Sequence, residues 1–177
     1  MLVAGAVAAA LTTAAASARP SEAELIRPGI GIGGIRVGMS LAAVRRALGR
    51  EEVVNVDRRR GFGTRYVELA WEYGWWRVGF LVRGGRYRVV LVATQHRSER
   101  TRGRLGVGTS KAALRRALPV RCDRRWHPGE WCVLRHPNGR RTVFVVFYVC
   151  LDRADMPGRP CDRAREEVGE VVVREPF

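Results

Sequence analysis

The chain has 177 residues, a length that suits one compact domain or two small ones sharing a core. After the first 18 residues no stretch is long and apolar enough to span a bilayer, which excludes a helical membrane protein as the mature form. The formal net charge is +15 and Lys111 is the only lysine, so 31 of the 32 basic residues are arginine, and we expect attraction to anionic surfaces.

Residues 1–18 have the pattern of a cleaved export signal peptide. Small and apolar residues run without interruption from Leu2 to Ala18, and Ala16-Ser17-Ala18 supplies the small-x-small motif of a cleavage site. The first charged side chain is Arg19, so the whole formal charge belongs to the mature part. The sequence therefore predicts a secreted or otherwise extracytoplasmic protein.

Residues 19–34 are predicted to be a flexible lead-in rich in glycine. Gly29 to Gly34 match the pattern G-x-G-x-x-G, but a dinucleotide site needs a strand before the motif and a helix directly after it. Here Pro28 comes before the motif, and the helical pattern begins only after Gly38. We therefore predict no dinucleotide site, and the sequence indicates no other cofactor.

An internal similarity is the strongest pattern in the chain. Residues 37–48 align without gaps on residues 107–118, and nine of the twelve positions are identical at an offset of 70. Similarity at a fixed offset is typical of a repeated supersecondary unit. In both segments a serine follows a glycine turn and precedes good helix formers, so Ser40 and Ser110 are predicted N-caps of two short helices.

Strand patterns follow each helix. In the first half, apolar and polar residues alternate over 66–73, 76–82 and 87–94, and in the second half strands are expected at 131–135, 141–150 and 168–174. Asn138-Gly139 is the signal of a two-residue hairpin turn. The predicted fold class is α+β, with two tandem α-β-β-β repeats whose antiparallel sheets are each covered by a short helix. Unit 1 is 35–97, the linker is 98–104 and unit 2 is 105–177.

Four cysteines in an exported chain predict two disulfides, and all four lie in the second unit. Three pairings are possible. A hairpin centred on Asn138-Gly139 places Cys132 opposite Val145, which disfavours Cys132–Cys150. We favour Cys122–Cys132 with Cys150–Cys161, each of which closes a loop of about ten residues.

Other chemistry has weaker support. Cys122, His127, Cys132 and His136 are possible zinc ligands, but their spacing fits no common finger and an oxidising compartment disfavours thiolates, so no metal site is predicted. No base is brought to Ser40 or Ser110, so no catalytic residue is predicted and the chain is expected not to be an enzyme. Glu68 and Glu72 share a strand face, where ion pairs with arginines of neighbouring strands are the simpler interpretation.

The helix lead-ins resemble those of a known family. Gly38-Met39-Ser40 with Val44, Gly108-Thr109-Ser110 with Leu114, and the cysteine pair at 122 and 132 look like the secreted β-lactamase inhibitor proteins, which are related in fold to small outer-membrane assembly lipoproteins. The resemblance implies two helix-capped sheets whose open faces grip a partner protein. On this chain it implies a partner-binding surface formed by Tyr66, Glu68, Glu72, Trp75, Arg77, Arg86 and Arg88.

We therefore predict a secreted, non-enzymatic protein that recognises a protein or cell-envelope partner through its sheet face. The alternative is a basic module that binds an anionic polymer, either a wall polyanion or nucleic acid, through its arginine runs. Those runs comprise Arg58, Arg59, Arg60, Arg97, Arg100, Arg102, Arg121, Arg124 and Arg125.

Overall fold

The computed structural model describes residues 25–55, 65–72, 75–126, 129–150 and 164–176. The export signal, Arg58 to Arg60, His127 and Cys161 lie outside these residues. Two helices and eleven strands are present in the described part of the chain. In chain order they are β1 (Ile26–Arg27), β2 (Gly31–Ile32), β3 (Ile35–Arg36), α1 (Leu41–Leu48), β4 (Val53–Asn55), β5 (Arg65–Trp71), β6 (Trp76–Arg83), β7 (Arg86–Thr94), α2 (Lys111–Ala117), β8 (Arg121–Trp126), β9 (Gly129–Arg135), β10 (Arg141–Cys150) and β11 (Ala164–Arg174).

The strands form two antiparallel sheets. A small sheet has the order β1-β2-β3, and a large one has the order β4-β5-β6-β7-β11-β10-β9-β8. Four strands follow each helix, and the two sets join where β7 pairs with β11, for example Val92 with Val173. The predicted α+β fold of two tandem α-β-β-β repeats with separate sheets is therefore wrong. The protein is mostly β. Its two sets of strands share one sheet, because pairing β7 with β11 satisfies two strand edges that separate sheets would leave open.

Both helices begin as predicted. The Oγ atoms of Ser40 and Ser110 accept hydrogen bonds of 3.3 Å from the N–H groups of Ala43 and Ala113. The residues before each cap bind to a strand of the large sheet. The Gly38 N–H donates to the carbonyl oxygen of Val89 at 2.7 Å, and the Gly108 N–H donates to that of Val168 at 2.6 Å. The two lead-ins therefore hold their helices against the large sheet in the same manner.

The main core lies between the helix-bearing side of the large sheet, the two helices and the small sheet. Val44 of α1 and Leu114 of α2 are both fully buried in it. Ile26, Ile32 and Ile35 of the small sheet belong to the same core. Residues 25–34, which the sequence predicts to be a flexible lead-in, are thus an integral layer of the fold. Their glycines form tight turns that bring the isoleucines together.

The predicted linker 98–104 also packs onto the fold. The Ile26 N–H donates to the carbonyl oxygen of Arg100 at 2.8 Å, and Leu25 forms a parallel bridge with Arg100. Glu99 and Thr101 are buried. The side chains of this segment are mostly polar, and this pattern predicts a linker. The segment packs because its backbone is hydrogen-bonded to the start of the small sheet, and side-chain polarity does not indicate such bonds.

The turn between β9 and β10 differs from the predicted two-residue hairpin. Its last strand pair is Arg135 with Arg141, the Gly139 N–H donates to the His136 carbonyl oxygen at 3.0 Å, and Gly139 has φ 78°. This is the longer hairpin in which a glycine bulge follows a type I turn. The register consequently shifts by one residue, and Cys132 pairs with Phe144 instead of Val145.

The disulfide Cys122–Cys132 is confirmed. The two cysteines are directly opposite each other on β8 and β9, and their sulfur atoms are bonded. The prediction of Cys150–Cys161 lies outside the described residues. A disulfide fits an extracytoplasmic location, because such bonds persist in oxidising compartments. Neither of the two described helices is long and apolar enough to cross a membrane.

Candidate functional site

The side of the large sheet that faces away from the helices is called here the outer face. Side chains alternate along each strand, so residues between the core positions of β5–β11 point to this side. A second hydrophobic cluster lies on it, made of small buried residues at its centre and larger half-buried residues at its margin: Leu91, Ala93, Trp131, Val133, Val143, Val145, Phe147 and Val172. All eight belong to strands; the four central residues of this apolar strip are buried and the four at the margin are half-buried.

The apolar strip explains the sequence pattern of β10. Both alternating sets of its side chains are apolar, which predicts a strand buried on each side. Phe144 and Val146 are in the main core, and Val143 and Val145 are in the apolar strip. This prediction is confirmed.

Arg77 is the centre of a charged cluster beside the apolar strip. Its guanidinium donates to Oε1 of Glu68 at 3.1 Å and also to Glu170 of β11. Burial lowers the pKa of Arg77, but the hydrogen bond to Glu170 and the charges of both glutamates outweigh it and raise the pKa. The Tyr66 hydroxyl donates to Glu68 at 3.1 Å. The predicted pairing of Glu68 with a cross-strand arginine is thus present.

Two further arginines border the apolar strip. Arg88 donates two hydrogen bonds to Glu175, at 2.7 and 2.8 Å. The guanidinium of Arg174 lies 5.7 Å from the ring centre of Trp131, within the range of a cation–π contact. The pKa of Arg174 is lowered, first by burial and then by the positive charge of Arg141.

Two aromatic rings of the outer face lie directly against glycines. A Cβ at Gly79 would be 2.8 Å from Cζ of Tyr66, and a Cβ at Gly169 would be 2.7 Å from Cε2 of Phe147. Such distances are shorter than carbon atoms tolerate, so only glycine leaves room for the rings. The glycines therefore keep both rings close to the sheet.

The structure brings together most of the predicted partner-binding residues. Tyr66, Glu68, Arg77, Arg86 and Arg88 all lie on the outer face, since they alternate with core residues on β5, β6 and β7. Glu72 and Trp75 do not.

Those two residues lie at the connection between β5 and β6. Glu72 has φ 51°, and Trp75 is 48% exposed with its ring edge-on to His96. Sequence reasoning missed Trp131, Glu170 and Arg174, which face the first half of the chain only because β11 pairs with β7.

The arginines for which the sequence predicts polyanion binding lie in several parts of the fold. Arg97, Arg100 and Arg102 lie in the segment between β7 and α2, whereas Arg121 is exposed on the edge strand β8. The side chains of Arg124 and Arg125 lie outside the described residues, as do Arg58 to Arg60. Arg104, which the sequence did not single out, joins Arg97 and Arg100.

The described residues contain no group of three or more His, Cys, Asp or Glu that could hold a metal ion. Cys122 and Cys132 are bonded to each other, and Nε2 of His136 lies 3.1 Å from Oγ1 of Thr142. The zinc alternative is therefore unsupported. Ser40 and Ser110 serve as helix caps.

The only lysine forms a buried ionic cluster on the core side. Nζ of Lys111 lies 2.5 Å from Glu130 of β9 and 3.1 Å from Glu166 of β11. Burial lowers the pKa of Lys111, but the hydrogen bonds to Glu130 and Glu166 outweigh it and raise the pKa. The cluster ties helix α2 to two strands of the large sheet.

No protein-family model matches the chain, and no curated protein sequence matches it either. The likeness to β-lactamase inhibitor proteins remains a prediction. Among solved structures, the chain is similar to the crystal structure of the uncharacterized protein yfeY from Escherichia coli, with a TM-score of 0.51 and 12% sequence identity over 83% of this chain and 97% of that one. The similarity shows a shared fold and carries no information about function.

Proposed function

We propose that the chain is a secreted, non-enzymatic binding protein that recognises a protein or cell-envelope partner through the outer face. The observation that carries the proposal is the apolar strip, a second hydrophobic cluster on the outer face whose larger side chains at the margin are partly exposed. Apolar patches bordered by polar residues are typical of interaction surfaces. This mode of binding agrees with the resemblance to the β-lactamase inhibitor proteins.

The residues around the strip suit a protein partner. Trp131, Tyr66 and the neighbouring arginines are of the types that most often anchor interfaces. Because Trp131 stacks with Arg174, and Phe147 and Tyr66 lie over glycines, these side chains are already ordered before binding. Ordering in advance lowers the entropic cost of association.

Charge indicates the kind of partner. The chain carries +15, and Arg83 and Arg86 are exposed at the β6–β7 end of the outer face with no ion pair among the described residues. A partner with acidic residues around an apolar centre would complement this surface and would be attracted to it over a distance. We therefore propose an acidic protein.

The ion pairs of the outer face support a binding role over a catalytic one. Glu68, Arg77 and Glu170 bind one another, and Arg88 binds Glu175. Carboxylates that are held in ion pairs with arginines do not form the nucleophile–base pair that covalent catalysis needs.

The test has two stages. A photo-crosslinking amino acid at Val133, on the outer face, is compared with the same group at Ala42, an exposed position of α1. We expect a defined adduct from Val133 only, in cells that produce the protein. Equal adducts from both positions, or none from Val133, would overturn the proposal.

The captured partner is then purified, and its affinity is measured for two tryptophan variants. Trp131→Ala should weaken binding by about 30-fold or more, since buried aromatic anchors contribute at least ~2 kcal/mol. Trp75→Ala is the matched control, because Trp75 is exposed and lies off the outer face. If Trp75→Ala is the more damaging change, the binding surface is elsewhere.

The alternative function, binding of an anionic polymer, is supported by a different observation, the approach of Arg97 and Arg100 to the same glycine, Gly108. The two functions respond differently to salt. Polyanion binding should fall steeply as salt is raised from 50 to 200 mM, because counterions are released, whereas an apolar interface should change little.

A further inference from the structure

The segment that leads into helix α2 folds back on itself. Arg100 forms an antiparallel bridge with Gly106, and the Thr101 N–H donates to the Leu105 carbonyl oxygen at 2.8 Å. A Cβ at Gly106 would lie 3.1 Å from Cδ of Arg100 and would collide with the carbonyl oxygen of Glu99. The absence of a side chain at Gly106 thus lets the Arg100 side chain cross the turn.

The guanidinium group of Arg97 approaches the same turn. A Cβ at Gly108 would lie 3.8 Å from Cζ of Arg97 and 4.0 Å from Nη2 of Arg100, so these two atoms are within about 8 Å of each other. Charge-assisted hydrogen bonds are about 2.8 Å long. One oxyanion can therefore reach both guanidinium groups.

The guanidinium groups of this cluster lie close enough to repel one another. No ion pair of the described residues includes Arg97, Arg100 or Arg104. The pKa of Arg100 is lowered, first by burial and then by the charges of Arg97 and Arg104. Bringing three like charges together costs free energy in the free protein, and a bound anion would remove that cost.

Thr109 adds a neutral donor. Its Oγ1 accepts hydrogen bonds from the Gly106 N–H at 2.9 Å and from Nη1 of Arg100 at 3.4 Å. Since both lone pairs are directed to these donors, the hydroxyl hydrogen is left to donate. The donors of Arg97, Arg100 and Thr109 belong to three separate side chains, which suits a tetrahedral anion better than a planar carboxylate.

We propose that Arg97 and Arg100, with the Thr109 hydroxyl, form a binding site for a phosphate-class oxyanion beside the Gly106–Gly108 turn. The ligand is either free phosphate or a phosphate group within a polymer. The site lies outside the outer face and does not depend on protein recognition there. It gives the alternative function a defined point of contact.

The test measures binding of inorganic phosphate, and separately of inorganic polyphosphate, to the mature full chain by calorimetry at low salt. Arg100→Gln and Arg97→Gln should each weaken phosphate binding at least about tenfold, since a hydrogen bond to a charged group is worth more than one such factor. Arg97 is exposed, so its variant does not endanger the fold. Thr109→Ser, which keeps the hydroxyl, should bind normally.

Arg46→Gln is the matched control, because Arg46 is an exposed arginine of α1 with no described partner. It should leave phosphate affinity unchanged. Failure of the unaltered chain to bind phosphate at millimolar concentration overturns the proposal if polyphosphate also fails to bind. A second refuting result is that polyphosphate binds while Arg46→Gln weakens its affinity as much as Arg97→Gln does. In that case polyphosphate binds to the overall positive charge of the protein, and the proposed site is refuted.

Discussion

Replacing Lys111 with methionine should destabilise the protein strongly. Lys111 is 9% exposed and Glu130 is 5% exposed, so methionine would remove an ammonium group from its contact with a buried carboxylate. Removing one partner of a buried pair costs about 3–5 kcal/mol. The third member, Glu166, keeps 32% of its side chain exposed and can be solvated by water. We therefore expect the lower end of the range, about 3 kcal/mol.

Lys111→Arg provides a sharper test, since it keeps the charge. The ammonium group lies 2.5 Å from Glu130 in an enclosed space, and a guanidinium group is larger. Overpacking of this kind costs about 1–3 kcal/mol. The change to arginine should thus be destabilising in a chain whose other 31 basic residues are all arginine.

The assay is urea unfolding at pH 7, followed by fluorescence. Lys111→Met combined with Glu130→Gln should recover part of the loss, because the buried side chain that has lost the ammonium group is then neutral. The raised pKa of Lys111 means that its contribution is present at neutral pH and is lost as the pH rises above about 10.4 and through the folded-state pKa.

Two results would refute this reasoning. If Lys111→Arg is as stable as the unaltered protein, the space around the ammonium group is not restrictive. If Lys111→Met costs less than about 1 kcal/mol and the double variant gains nothing, the cluster is solvated like a surface ion pair.

Three further predictions concern other parts of the fold. Cys122→Ala with Cys132→Ala should lower the free energy of unfolding by about 2–3 kcal/mol through the lost loop constraint, and an unchanged urea midpoint would contradict it. Gly79→Ala should cost about 1–3 kcal/mol because its methyl group meets the Tyr66 ring, and adding Tyr66→Ala should restore part of the melting temperature. Burial lowers the pKa of His136, so the unfolded state binds a proton at this imidazole more readily than the folded state does. Stability should therefore fall as the pH drops below about 6.5. In thermal melts between about pH 7 and 5.5, the melting temperature of His136→Asn should change less with pH than that of the unaltered protein.

Several features were predictable because they depend on neighbouring residues. Ser40 and Ser110 cap their helices through hydrogen bonds to residues three positions further on. Cys122 and Cys132 lie on adjacent strands joined by a short turn, so their pairing followed from loop length. The two apolar sets of side chains on β10 likewise indicated a strand with buried residues on both faces.

Other features had no local signal. The pairing of β7 with β11 joins residues such as Val92 and Val173, which are far apart in sequence. Strand β8 is rich in charged residues and shows no apolar alternation, because it lies at the edge of the sheet. In residues 25–34 the glycines suggested flexibility. The segment nevertheless packs into the main core, because the isoleucines at 26 and 32 are buried there.

By itself, the sequence determined the helices, most of the strands, the disulfide and the strongly basic character, since each follows from spacing or composition within a short stretch. Tertiary structure alone decided that two sets of strands share one sheet. That pairing creates the outer face, aligns Arg77 with Glu170, and leaves Trp131 and Arg174 beside the first half of the chain. Contacts between distant strands depend on which edges and faces remain uncovered after the local elements have formed, and no local pattern encodes this.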